Sequence, residues 1–194
     1  MPKPLLDAEQ VEVKSRDELR SWLADHHGRQ TGVWLVHYKK ASPHYLPMGE
    51  IVAECLAFGW VDSLVRTKDE LRAMHWIAPR KDGSNWSAVN KQIVEELEEN
   101  GLMTDAGRTV IARAKEDGSW SRLDAVERLE VPNDLSAAFD GFPGSRKNWD
   151  AFPKSVRRGV LEWLLNAKRP ETRAKRIAEV AEKAARNERA NQWR

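Results

Sequence analysis

The stretch PRKDGSNWS, residues 79–87, holds the densest run of groups able to bind an anion. With Ser84 as a helix N-cap, the backbone amides of residues 85–87 point outward from the helix start. Arg80 and Lys81 stand just before them, and Ser87 and Asn90 add side-chain donors. A helix N-terminus with basic residues ahead of it attracts anions through its free amides and its dipole. The same residues also make an ordinary cap followed by two solvated cations. The glycine spacing of a nucleotide-binding P-loop is absent.

Two carboxylates sit where apolar residues dominate. Asp62 lies between Val61 and Ser63, and Glu54 among Ile51, Val52, Cys55 and Leu56. A carboxylate taken into a core must pair, and the partners expected for Asp62 are Arg66, Arg80 and Lys39. Either acid has the chemistry of a general base or substrate-orienting group; the competing role is a structural ion pair. Trp60, Trp76 and Trp86 can stack on a flat ligand or fill the core. Serines 63, 84 and 87 have no histidine in a nucleophile-activating arrangement, since His26, His27, His37, His44 and His75 are placed without local relation to them. There is no HExxH and only one cysteine, Cys55, so neither a metal site nor a cofactor is expected.

The elements that must position these groups follow from periodicity and caps. Val11–Val13 is a short strand, and Ser15 with Glu18 forms a capping box for a helix ending before Gly28. VWLVHY, residues 33–38, is apolar on both faces and belongs inside a sheet. A helix over 49–58 follows. Strands at 60–66 and 71–77 are joined by the turn 67–70 as a hairpin, which gives a meander with one helix inserted. A helix from Gly83–Ser84 to Asn100 would bury Trp86, Val89, Ile93 and Leu97, and Thr104 caps another. From Pro132 only helices are expected: 133–139, 145–152, 154–167 and one opening at Pro170. The fold class is therefore α+β, a small antiparallel sheet of about three to four strands covered by helices, with an all-helical C-terminal module. The division is 1–118, a linker at 119–131, and 132–194.

Of 194 residues, 41% are hydrophobic and nine are Trp, enough for a real core. The net charge of +2 is uneven. Residues 168–194 hold nine Lys/Arg against four Asp/Glu, a net of +5, which leaves −3 for the rest. Such a terminal helix is either a surface for an anionic partner or a solvated, salt-laced face. The opening MPKPLLDAEQ does not read as a leader, and no apolar run approaches a membrane span. The expected compartment is the cytoplasm, with no membrane span.

FGWVDSLVR, PRKDGSNWSAVNK, GLMTDAGR and KEDGSW, with WLVHYKK upstream and WLLNAKRPETRAKRI at 163–177, resemble the YdeI/OmpD-associated, or bacteriocin-protection, family. The resemblance runs from about residue 10 to 185. It implies tolerance of antimicrobial peptides and association with an outer-membrane porin, and brings no catalytic mechanism. It marks Lys39, Trp60, Asp62, Arg66, Pro79, Arg80, Ser84, Trp86, Ser87 and Asn90 as family positions, with Lys168, Thr172, Arg173 and Arg176 in the second module. Arg173 and Arg176, one turn apart beside Ile177, are expected to face the first module and close its pocket. The expected function is non-catalytic: a stress-tolerance protein binding a small anionic or polar molecule. An enzyme using Asp62 or Glu54 is the first alternative, and a nucleic-acid binder using the basic tail is the second.

Overall fold

The computed structural model describes residues 7–190; the first six residues of the opening stretch and residues 191–194 of the basic tail lie outside them. The chain forms two compact units, one running to Arg122 and the other from Leu123, each with its own apolar core.

In the first unit, β1 (Gln10–Glu12) leads into α1 (Arg16–His26), whose N-cap Ser15 accepts from the Glu18 amide. The Glu18 carboxylate in turn accepts from the Lys14 amide at 2.8 Å, closing the cap from the other side. β2 (Val33–Tyr38) is buried at five successive positions, as a strand apolar on both faces requires. α2 (Met48–Ala57) then delivers the chain to β3 (Trp60–Thr67), and β4 (Arg72–Pro79) folds back.

The sheet differs from the expected antiparallel meander in two ways. Its order is β1-β2-β4-β3, so β4 and not β3 lies beside β2, and β1 pairs with β2 in parallel. The cause is the α2 crossover. A strand–helix–strand connection carries β3 in the same direction as β2 and leaves one slot between them. The β3–β4 hairpin fills that slot with an antiparallel strand on both sides. A register shift between Asp62 and Val65 breaks the β3 ladder, and Leu64 and Val65 are exposed there on the sheet edge.

α3 begins later than its sequence suggests. It spans Ala88–Glu99 with Ser87 as N-cap, the hydroxyl accepting from the Asn90 amide. Its fully buried positions are Val94 and Leu97, and Val89 is 64% exposed. α4 (Asp105–Glu116) is capped by Thr104 as expected. Its Gly107 lies so close to α2 that an added Cβ would meet the Ala57 carbonyl at 2.4 Å.

The second unit is helical throughout: α5 (Asp124–Glu127), α6 (Asn133–Asp140), α7 (Ser145–Ala151), α8 (Lys154–Leu165) and α9 (Pro170–Ala185). Pro132 and Pro153 occupy the caps of α6 and α8, and Pro170 the first turn of α9, where a missing N–H costs nothing. Leu135, Phe139, Trp149, Leu161, Leu164 and Val180 form its centre. Among the described residues no helix is long and apolar enough to cross a membrane.

Candidate functional site

Arg80 is the group around which a site can be built. β4 ends at Pro79 opposite Trp60, and the Arg80 amide donates to the Gly59 carbonyl at 3.0 Å, extending the ladder by one bond. Gly59 has φ +74°, and a Cβ there would meet Val110 Cγ2 at 2.7 Å. Only glycine allows this turn to pass so close beneath α4. The Trp60 indole donates to the His27 carbonyl at 3.2 Å and ties the loop after α1 to the same place.

These elements enclose a cavity of about 340 Å3. It is lined by His27, Gly28, Arg29 and Gln30 from the loop, Phe58 and Gly59 from the turn, Pro79 and Arg80 from the strand end, and Ala106, Thr109, Val110 and Arg113 from α4. Three guanidiniums border it, and they are not equivalent. Arg29 pairs with Glu9 at 2.6 Å, and Arg113 lies 3.5 Å from Asp82. Arg80 is 8% exposed and forms no ion pair among the described residues. Its Nη2 donates to the Asn85 carbonyl at 2.7 Å, and its Cζ stands 3.7 Å from the centre of the Trp86 ring. Its Nε and Nη1 are buried and have no acceptor. Burial pushes the Arg80 pKa down to about 10, with Asp62 pulling the other way. Among the described residues, the two cavities against α3 are lined by no such buried, unaccepted cation.

The remaining expected site residues separate into several places. Asp62 is half-buried opposite Ile77. No basic group among the described residues comes within ion-pair distance of it, so the expected bridge to Arg66, Arg80 or Lys39 is not formed. It acts on Arg80 and His75 through its field alone. Lys39 instead donates to the Asp69 and Glu70 carbonyls and braces the hairpin turn, and Arg66 lies over the Trp34 ring at 5.1 Å. Glu54 is 1% exposed; one carboxylate oxygen accepts from Arg16 at 2.6 Å and the other from Arg20 at 2.8 Å. That is a clamp between α1 and α2, with Arg20 also donating to the Leu102 carbonyl.

Ser84 donates to the Lys81 carbonyl, Lys81 is exposed, and Ser87 caps α3 together with Asn90. The amides of residues 85–87 are therefore not the first turn of a helix, which removes the geometry on which the expected anion site rested; of that stretch Pro79 and Arg80 line the cavity. Trp60 and Trp86 are core residues. Arg173 donates to both oxygens of Asp134 and to the Leu164 carbonyl, and Arg176 donates to the Trp163 carbonyl beneath its own ring contact. Both serve the second unit internally, because α9 turns that face toward α6 and α8.

Sequence reasoning missed Arg29 and Arg113, which carry no motif and meet Arg80 only in the folded chain. It also missed the histidine pair on the sheet. His37 Nε2 and His75 Nδ1 are 2.8 Å apart, one donating and the other accepting, with His37 7% exposed. Burial lowers both pKa values; the charge of His75 lowers His37 further, and Asp62 partly offsets the effect on His75. Among the described residues no group of three His, Cys, Asp or Glu side chains converges as a metal site.

Residues 11–110 match the family model described as Domain of unknown function (DUF8412), and residues 128–187 match the one described as Bacteriocin-protection, YdeI or OmpD-Associated. The chain belongs to the DUF8412 family, and its second unit is similar to the YdeI/OmpD-associated family. No curated protein and no solved structure matches the chain. The YdeI/OmpD-associated match is thus confined to the helical unit. FGWVDSLVR and PRKDGSNWS, which resembled that family in sequence, fall within the DUF8412 span, and so does every residue bordering the cavity except Arg113.

Proposed function

We propose that the protein is a binding module for a small anionic or polar molecule, held in the cavity bordered by Arg29, Arg80 and Arg113. The observation that carries this reading is Arg80, a buried guanidinium with Nε and Nη1 unaccepted. A pKa pushed down to about 10 from the ordinary arginine range corresponds to a net penalty of about 3 kcal/mol for holding the charge there. The Trp86 face offsets part of it through a cation–π contact, but a ring face accepts none of the in-plane N–H groups. An anion in the cavity would offset a further part through its field, since Nε and Nη1 themselves are closed off from it. The second unit's similarity to the bacteriocin-protection family supports reading this binding as part of a stress-tolerance role.

A catalytic reading through Glu54 is disfavoured by its two arginine partners, which engage both of its oxygens in a clamp. Asp62 keeps the chemistry of a base but acts here as the field opposing burial of Arg80. The test is a thermal-shift screen of the full chain against metabolite anions and matched neutral analogues. A bound ligand at a hundred times its Kd adds about 2.7 kcal/mol of stability. Anions that raise the melting temperature in wild type and not in Arg80→Gln support the reading; a panel without any such anion removes it.

A further inference from the structure

Resting on that reading, we infer that Arg113 is the side chain that grips the anion, that it leaves Asp82 to do so, and that Asp82 is the site's built-in competitor for it. Arg80 supplies charge from within the wall, and its unaccepted nitrogens are closed off from the cavity. Direct contact with the ligand therefore comes from another group on the wall.

The other side-chain donors on that wall are His27, Arg29, Gln30, Thr109 and Arg113, and all but the last are committed elsewhere. The Thr109 hydroxyl gives its one hydrogen to the Asp105 carbonyl at 2.8 Å. His27 Nδ1 stands 3.0 Å from the Ala24 carbonyl, which can only accept, so in the neutral ring Nε2 carries no proton to donate. Gln30 turns its amide to the Gly28 carbonyl at 3.4 Å and brings no charge. Arg29 is held twice, by Glu9 at 2.6 Å and by the Trp22 ring, whose centre lies 5.8 Å from its Cζ. The hydrogen bond from Arg29 keeps the Glu9 carboxyl below its ordinary range.

Arg113 is held once and loosely. Its Nη1 is 3.5 Å from Asp82 Oδ1, longer than an ordinary N–H···O bond, and the two side chains are 53% and 68% exposed. Exposed pairs of that kind are weak and screened by salt. Arg113 also stands on the right side of its helix, since Ala106, Thr109, Val110 and Arg113 line the cavity from one face of α4. A long helical side chain leans toward the preceding turn, which brings the wall at Thr109 and Val110 within reach of the arm. With Asp82 off the cavity wall, an arm turned inward gives up that contact, and the two anions compete. The guanidinium fork suits a carboxylate, sulfate or phosphate edge alike.

The experiment titrates sodium sulfate and sodium acetate into the full chain, at ionic strength held with sodium chloride, and reads thermal shift and calorimetry. Wild type is compared with Arg113→Gln, Asp82→Asn, the two together, Arg29→Gln and Arg80→Gln. The deciding variants alter exposed side chains only, so each is expected to fold. For a probe that binds wild type, Arg113→Gln should weaken binding about tenfold, the loss of one charge-assisted contact, and Arg29→Gln should cost less. Asp82→Asn should tighten binding about two- to fivefold, the strength of an exposed pair, and that gain should vanish on the Arg113→Gln background. An affinity unchanged by Arg113→Gln, or an Asp82→Asn gain that persists without Arg113, overturns the inference; if Arg80→Gln still abolishes binding, the anion site itself stands. Binding that survives Arg80→Gln overturns both. Binding of neither probe to wild type or Asp82→Asn overturns the inference and leaves the reading to its metabolite panel.

Discussion

Glu54 and Arg80 show how two buried charges meet different fates. Glu54 has both oxygens accepted into a clamp by Arg16 and Arg20, residues one turn apart on α1. Removing its charge leaves two guanidiniums facing a neutral group. For Glu54→Gln we expect a loss of about 2–3 kcal/mol in urea unfolding. This is less than the 3–5 typical of breaking a fully buried pair, because both arginines are about one-third exposed to screening solvent. A loss under about 0.5 kcal/mol would mean that α1 is held to α2 by apolar contacts alone. Arg80 has no such clamp, and its stack on Trp86 holds it in place with donors to spare. That contrast is why the site is built on Arg80 and the clamp is assigned to structure.

Helix caps and the central strands carry the element-scale consequences. The start of α3 decides whether the 84–87 stretch presents free amides, and Ser87 is the residue whose hydroxyl accepts from the first turn. Ser87→Ala is expected to cost about 1 kcal/mol, the usual worth of an N-cap, and Ser84→Ala less than about 0.5 kcal/mol; chemical denaturation of the two variants distinguishes the starts. Inside the sheet, the His37–His75 hydrogen bond makes stability depend on pH. Both histidines have pKa values lowered by burial, so the unfolded chain binds more protons than the folded one below the ordinary value of about 6.5. Their contribution is full above that pH and is lost as pH falls through it. Between pH 7.5 and 5.5 wild type should lose on the order of 1 kcal/mol, and His37→Phe should lose less. The carboxylates whose pKa values are lowered, such as Glu9, Asp69 and Asp117, stay ionised across that window. An equal loss in wild type and variant would remove the pair as the cause.

At the scale of the whole molecule, the +5 of residues 168–194 bears on partners. Within the described part, Lys183 pairs with Glu179, Arg186 with Glu182, and Arg173 with Asp134. These are i,i+4 and interhelical pairs of the kind that lace a solvated helix. Binding to duplex DNA is therefore expected to be weak at low salt and gone by about 0.2 M, with fewer than about three phosphate contacts in the salt dependence. A steep slope of eight or more, measured by fluorescence anisotropy, would make α9 a nucleic-acid surface and displace the cavity as the functional site.

Local pattern and tertiary contact divide the account between them. The boundaries of α1, β2, α4 and the helices from Pro132 onward were readable because caps, prolines and apolar spacing act within a few residues, and each agrees with the final fold. The α+β class followed from the same signals. The strand order did not, because it depends on which slot the α2 crossover leaves open. The α3 start was misread because Ser84 and Ser87 are both good caps, and only packing of Val94 and Leu97 chooses between them. Arg80 stood out in sequence as a basic residue just before the expected helix start. Arg29, 51 positions earlier, and Arg113, 33 later, carry no local mark of their role. The loop after α1, the Gly59 turn and α4 bring them to one cavity. Whether a charge is paired, and by which partner, is a property of distances across the fold, and composition and spacing carry no information about those distances.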